Sequence, residues 1–241
     1  PSITDGQYYK TAQITGLKPG TTYQYQMVEG VKVSNVVCEV TTDAVYVLDN
    51  YSFEDVSYDE KTLRISKDPK NYWWDSGNEG SSTMSVNVTS VDTSVKHSGS
   101  QSLYLKSQFV GIWGIGKFAA GNLFAGEFLG TENTYYGILG WGRPFDTRPY
   151  ALKAWVKYTP GTVDYTETDK ISNGDLDIGK IYIAVGDWVG DDSSYPQWPV
   201  VVRTLGPKLF DPKSSGTIGY GEIEFTETLQ ASDGGMVEVE I

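Results

Sequence analysis

The chain has 241 residues, 39% of them hydrophobic and 13% aromatic, with 27 Gly, 17 Tyr and 7 Trp. That is enough apolar material for one large or two modest domains, and long stretches of 3.6-residue periodicity are missing, so strands and turns are expected in place of helices. A net charge of −12 at pH 7 repels phosphate backbones and anionic lipid and argues against nucleic acid as a partner; it suits a neutral polymer and leaves carboxylates available for Ca2+, although a solvated acidic surface is the simpler explanation.

Cys38 is the only cysteine, which excludes an internal disulfide framework and a thiolate metal cluster. His97 is the only histidine, so multi-histidine zinc sites are excluded and any Ser-His-Asp triad would have to use it. No apolar stretch approaches the length of a membrane-spanning helix. With Pro1 at its start and neither a signal sequence nor a lipidation cysteine, the chain reads as a trimmed, mature segment.

In residues 8–43 the element L-x-P-G-x-x-Y, carried by Leu17, Pro19, Gly20 and Tyr23, is followed by Tyr23, Tyr25 and Met27 on one strand face. A hairpin turn at Glu29 and Gly30 then leads into residues 31–41. The pattern resembles the second half of a fibronectin type III or immunoglobulin-like domain, in which the tyrosine hydroxyl returns to the backbone upstream. Three strands of a seven-strand sandwich cannot close a core, so leading strands are expected to have been cut away or left out, or the ribbon to lean on its neighbour. Cys38 alternates with Val36 and Val40 and reads as a small buried hydrophobe.

A linker at residues 42–44 divides this partial domain, residues 1–43, from a second one, residues 44–241. Beyond it come N-x-S-F-E at residues 50–54, then Trp73 and Trp74, then H-S-G-S-Q-S-L at residues 97–103. The order resembles galactose-binding-like modules, where the first motif lies on the opening strand. That resemblance implies a structural Ca2+ held by the Glu54 carboxylate with backbone carbonyls of His97, Ser98 and Ser100; the alternative is that Glu54 caps a turn through backbone N–H groups. Residues 59–71, mixed in charge and containing Pro69, read as a surface excursion with one helical turn. Met84, Val86 and Val88 alternate as a strand, and Leu103 and Leu105 should face inward on another. Trp113, flanked by glycines, has a ring that its neighbours leave uncovered.

Residues 117–161 are the stretch around which the second domain is organised. Their last part alternates: Leu152, Ala154, Val156 and Tyr158 form an apolar face, and Lys153, Trp155 and Lys157 form the other. A large ring between two lysines covers either the protein's own loop or a ligand, and the loop is the commoner fate. The motifs AAGNLFAGEF, GRPFDTRP and LKAWVKYTPG, in that order, resemble the putative carbohydrate metabolism domain of surface lipoproteins from glycan-degrading gut bacteria. The resemblance runs from about Val45 to the end of the chain. It implies an all-β fold, a galactose-binding-like jelly-roll β-sandwich preceded here by the partial immunoglobulin-like sandwich, with a further strand or two after Ile241. It also implies a place at the cell surface, outer membrane or periplasm, other surface glycan-utilisation proteins as partners, and no agreed catalytic machinery.

The acidic connection at residues 162–179 lacks the spacing of an EF-hand and reads as an ordinary loop. Residues 180–185 form a strand with Ile181, Ile183 and Val185 inward, residues 200–204 another, and a third places Ile223 and Phe225 on one face. Sugars offer apolar C–H faces ringed by hydroxyls, so their sites need a flat aromatic beside planar hydrogen-bonding groups. Two loops carry both, at residues 140–148 and 187–198. The expected site is a cleft lined by Trp141 and Trp188, with Trp198, Tyr195, Asp187 and Asp191 at its rim. Arg143 is counted with the ligand-facing groups by position, although Pro144 and Pro149 fix the backbone and suggest instead that Arg143 and Arg148 bracket Phe145 and pair with Asp146 or a nearby carboxylate.

Three functions are open on these grounds. The first is a non-catalytic carbohydrate-binding or glycan-handling module for an oligosaccharide or polysaccharide. The second is a glycoside hydrolase, which needs two carboxylates facing each other across a cleft; Asp187, Asp191, Glu127 and Glu222 are available, but among 31 acidic residues candidates carry little weight. The third is an adhesion or scaffold module, recognisable by a broad interface in place of a groove.

Overall fold

The computed structural model describes residues 5–6, 9–10, 12–112, 115–134, 136–147, 149–166, 170–205 and 215–241; the candidates Trp113 and Arg148 lie outside them. The chain divides into two compact units, Pro1–Leu48 with Asp146–Pro149, and Asp49–Phe145 with Tyr150–Ile241. Strands dominate among the described residues, in open sheets that form no barrel, as an all-β sandwich requires.

Unit 1 contains β1 (Asp5–Gly6), β2 (Tyr9–Lys10), β3 (Thr22–Tyr25), β4 (Val28–Glu29), β5 (Lys32–Val33) and β6 (Cys38–Thr41), paired antiparallel as β1–β2, β3–β6 and β4–β5. The Lys18 N–H donates to the Tyr23 hydroxyl at 2.7 Å, the corner bond that the L-x-P-G-x-x-Y element calls for. Among the described residues of unit 1 apolar side chains stand open: Met27 is 60% exposed and Val31 fully so. Cys38 is half-buried and its strand neighbour Val40 is exposed, so the buried environment expected for that cysteine is not formed within unit 1.

Unit 2 runs through β7 (Ser57–Asp59), β8 (Thr62–Arg64), β9 (Trp74–Asp75), α1 (Asn78–Ser82), β10 (Thr89–Asp92), β11 (Ser102–Leu105), β12 (Gln108–Ile112) and β13 (Ile115–Ala119). It continues with β14 (Phe124–Glu132), β15 (Tyr136–Trp141), β16 (Lys153–Val156), β17 (Gly179–Gly186), β18 (Val200–Arg203), β19 (Thr217–Phe225) and β20 (Val237–Glu240). Its largest sheet has the order β18-β15-β14-β9; the remaining strands pair antiparallel as β7–β8, β10–β11, β12–β13, β16–β20 and β17–β19.

Leu63, Ile65, Val88, Ile138, Leu139 and Val202 are buried at the centre, each worth about 1.5–3 kcal/mol relative to exposure. The Asn78 and Asp75 side chains buried with them are fully paired, as burial of polar groups demands. Asn78 donates to the carbonyls of Leu63 (3.1 Å) and Thr89 (2.7 Å) and accepts from the Thr89 N–H (2.9 Å), joining β8 to β10. Arg64 pairs with Asp75 at 3.2 Å and Glu79 at 2.5 Å, and Asp75 also accepts from the N–H groups of Ser76 and Phe128. Together these bonds tie β8, β9, α1 and β14 into one polar knot.

The fold departs from the sequence pattern in three places. Residues 59–71 contain no helical turn: β7 and β8 form a hairpin whose second strand is buried on both faces, because Arg64 finds its counter-charges inside. Met84 and Val86 are not strand residues, since Asn78 and its neighbours form the short helix α1 and the strand begins only at Thr89. The N-x-S-F-E segment is a turn and not a strand. Asn50 and Phe53 have φ of 44° and 57°, a region that L-residues enter only when held; the Asn50 side chain holds it by bonding both the N–H and the C=O of Asp55 and the Ile65 carbonyl.

Candidate functional site

The candidate site is centred on the β17–β19 pair. On β17, Lys180 and Tyr182 are exposed and alternate with Ile181 and Ile183, which turn inward. On β19, Tyr220, Glu222 and Glu224 are exposed and alternate with Gly221, Ile223 and the buried Phe225. The antiparallel register sets Lys180 opposite Glu224, Tyr182 opposite Glu222 and Ala184 opposite Tyr220, so these side chains share one face.

Tyr182 and Tyr220 meet diagonally, ring centroids 6.1 Å apart and planes 40° apart. Trp141, at the end of β15, reaches the ring of Tyr182 from the neighbouring sheet at 6.0 Å and 55°, with Phe124 behind it at 6.2 Å. Further along the same face of β17, Gly186 has no side chain because the Trp188 indole lies there: a Cβ at that position would sit 2.5 Å from the ring. The Trp188 N–H donates to the Thr217 hydroxyl at 3.2 Å, which fixes the ring's rotation over the strand ends. Trp141, Tyr182, Tyr220 and Trp188 thus line one face, with the small Ala184 among them.

Polar groups frame the rings. Lys180 pairs with Glu224 at 2.7 Å and Glu222 at 3.3 Å, and the Tyr220 hydroxyl donates to Glu222 at 2.5 Å. Asp187 stands exposed at the far end of β17, its backbone tied to Gly216. Burial pushes the Tyr182 hydroxyl well above its ordinary pKa, and burial followed by the Glu222 bond raises Tyr220. Both phenols are therefore neutral donors at physiological pH. Tyr182 and Tyr220 each keep 37% of their surface exposed, so a ligand can reach them.

The residues expected from sequence fall into separate places. Trp141 and Trp188 reach the same face of β17. Trp198 does not: it is 7% exposed and packs over Gly140, where a Cβ would lie 2.3 Å from its ring. Gly140 and Trp141 are consecutive on β15 and point to opposite faces, so Trp198 is a covering residue on the far side of that sheet and not a rim group. Tyr195 is there too, with Arg203 over its ring, and Arg203 in turn is held by Asp192 (2.7 Å) and Glu132 (3.2 Å). Asp191 is exposed on the same loop as Trp198 and Tyr195.

Arg143 serves the scaffold. It donates to the carbonyls of Tyr72 (2.8 Å), Trp73 (3.2 Å) and Gly126 (2.6 Å), and its guanidinium lies 5.1 Å from the Trp198 ring centre. A partnership with carbonyls replaces the carboxylate partner that the sequence suggested. Tyr182 and Tyr220 were not singled out by sequence, although the outward positions of K-I-Y-I-A-V-G and G-Y-G-E-I-E-F carry them in plain alternation.

The residues expected to hold a metal form something else. Glu54 accepts hydrogen bonds from the Ser100 N–H (3.1 Å) and from the Ser100 hydroxyl, and Gln101 donates to the Phe53 carbonyl at 2.8 Å. The Ser100 bonds, the hydroxyl foremost and then the N–H, hold the Glu54 carboxyl below its usual range. Donors aimed at a carboxylate make a turn clamp, and the set does not fit an oxygen cage for Ca2+. His97 sits apart, stacked on Trp155. Among the described residues no group of three or more His, Cys, Asp or Glu side chains is placed to hold a metal ion.

Two open hollows lie elsewhere. A hollow of about 210 Å3 is lined by Asp49, Asn50, Asp55, Ser66, Lys67, Asp68 and Asn71, where Lys67 already pairs with Asp55 at 3.4 Å. Unit 1 has one of about 450 Å3, bordered by Asp43, Tyr46 and Thr147. Neither contains a tryptophan.

One family model, described as putative carbohydrate metabolism domain, matches residues 49–197. No curated protein and no solved structure matches the chain.

Proposed function

Since the chain belongs to the putative carbohydrate metabolism domain family, we propose that unit 2 is a non-catalytic glycan-binding module whose ligand lies on the aromatic face of β17 and β19. The observation that carries the reading is the run Trp141, Tyr182 and Tyr220 at 6.0 and 6.1 Å spacing, framed by Lys180, Glu222 and Glu224. Aromatic rings receive the apolar faces of sugars, and fixed carboxylate, phenol and ammonium groups receive their hydroxyls. Each stacked sugar adds about 1 kcal/mol, so affinities in the micromolar to millimolar range are expected.

Binding in place of cleavage is supported by the pairing of the nearest carboxylates. Glu222 and Glu224 both engage the Lys180 ammonium from one strand, whereas a glycosidase needs one carboxyl kept protonated and a second facing it across a cleft. On the same reading unit 1 is an immunoglobulin-like or fibronectin-like spacer, which the Tyr23 corner supports, and the whole belongs to a cell-surface lipoprotein.

Affinity electrophoresis through gels containing soluble plant and host polysaccharides tests the proposal, with the same mixtures assayed for cleavage products. Retardation by at least one polysaccharide, relieved in Trp188→Ala and without new reducing ends, is the expected result. Retardation unchanged in that variant and in Tyr182→Ala would remove the site; released sugar would move the protein to the hydrolases.

A further inference from the structure

Resting on that reading, we infer that the ligand is a single, soluble, uncharged glycan chain whose successive sugar rings are turned relative to one another, and not a crystalline or an anionic polysaccharide. Ring orientation decides the first half. A crystalline surface presents many sugars in one plane, and a protein that grips it needs its aromatics coplanar so that all touch at once. Here the planes of Trp141 and Tyr182 stand 55° apart, and those of Tyr182 and Tyr220 stand 40° apart. No flat surface can lie on all three.

A single chain meets the same rings differently. Glycosidic torsions let each sugar rotate against the last, so consecutive apolar faces can follow a twisted set of platforms. The 6.0 and 6.1 Å centroid spacings suit one sugar per ring. The right-handed twist of the β17–β19 pair gives the protein side of the match without extra cost, because strands twist in that sense by default. The rings are also held before the ligand arrives: Tyr220 by Glu222, Trp188 by Thr217 and the glycine at 186. Preset orientation lowers the ordering cost of binding.

Charge decides the second half. Around the rings stand Glu222 and Glu224, against the cation Lys180, which is already shared between the two glutamates. A uronate or a sulfate brought to this face meets an excess of carboxylate, within a chain whose net charge is −12. Uncharged hydroxyls meet acceptors and donors in fixed places.

The test is a binding panel on the whole chain by isothermal titration and pull-down. The soluble neutral probes are maltohexaose, cellohexaose and mannohexaose; the crystalline probes are microcrystalline cellulose and chitin; the anionic probes are polygalacturonate and heparin. Expected is binding to at least one neutral hexasaccharide, weakened about five-fold in Tyr220→Ala. Tyr182→Leu, which keeps apolar volume but loses the flat ring, should weaken it similarly, with circular dichroism checking that both variants fold. Preference for a crystalline or anionic probe would overturn the inference and leave glycan binding standing. Failure to bind any probe of the three classes would overturn both.

Discussion

His97 lies flat against Trp155, ring centroids 3.4 Å apart and planes 4° from parallel. The ring that alternation places between Lys153 and Lys157 on an outward strand face is thus covered on one side by a loop of the same chain. The neighbouring lysines pin the surroundings, Lys153 to Glu240 at 2.8 Å and Lys157 to the Gly234 carbonyl at 2.8 Å. Because Trp155 remains 44% exposed, the stack is worth only about 0.5 kcal/mol. His97→Ala should lower the urea midpoint slightly, brighten or shift Trp155 fluorescence, and leave glycan affinity unchanged.

Arg143 has the larger structural stake. Its guanidinium satisfies three carbonyls, from Tyr72, Trp73 and Gly126, on the approach to β9 and on β14. Arg143→Met keeps volume but strands those acceptors and removes the cation over Trp198, so a loss of about 2–4 kcal/mol in urea unfolding is expected. Arg143→Lys should recover little of it, since one ammonium cannot reproduce the planar fork. Binding per folded molecule should persist; its selective loss would return Arg143 to the ligand site.

Acid should destabilise the fold in a way that can be assigned. The carboxyls of Glu54, Asp59, Asp92 and Asp192 are held below their ordinary values by bonds to Ser100, Lys70, Ser94 and Arg203 respectively. A carboxyl depressed on folding contributes stability above its unfolded pKa, about 4, and loses it as pH falls through the folded value. Asp75 runs the other way: burial raises it, so its contribution is greatest in acid and is lost as pH rises through its folded value. The Asp75 contribution is already complete below about pH 4, so there only the four losses act, and the melting temperature should drop. Ser100→Ala should flatten that drop by freeing Glu54. No flattening would mean that the clamp at Glu54 does not form.

Much of this is legible in the chain because alternation survives wherever one strand face is apolar. Ile181 and Ile183, Ile223 and Phe225, and the two faces of β16 follow from period two alone. The corner at Tyr23 follows from fixed spacing. The features that escape such a reading depend on partners distant in sequence. Arg64 and Asp75 are charged residues at buried strand positions and break the polar–apolar rhythm, and only their mutual contact explains them. Trp198 looks like any loop tryptophan until Gly140 leaves room for it. Tyr182 and Tyr220 belong to separate strands, and the register that makes them neighbours is not written in either segment.

The central claim is that glycan occupies the face shared by Trp141, Tyr182, Tyr220 and Trp188. The indole N–H groups report on it directly, since the 7 tryptophans give separate signals in a nitrogen-15 correlated spectrum and are assignable by single substitution. On titration with a neutral hexasaccharide that binds, the Trp141 and Trp188 signals should move with a common saturation curve, while those of Trp155 and Trp198 stay in place. Movement of Trp155 or Trp198 with Trp141 and Trp188 unchanged would contradict the account.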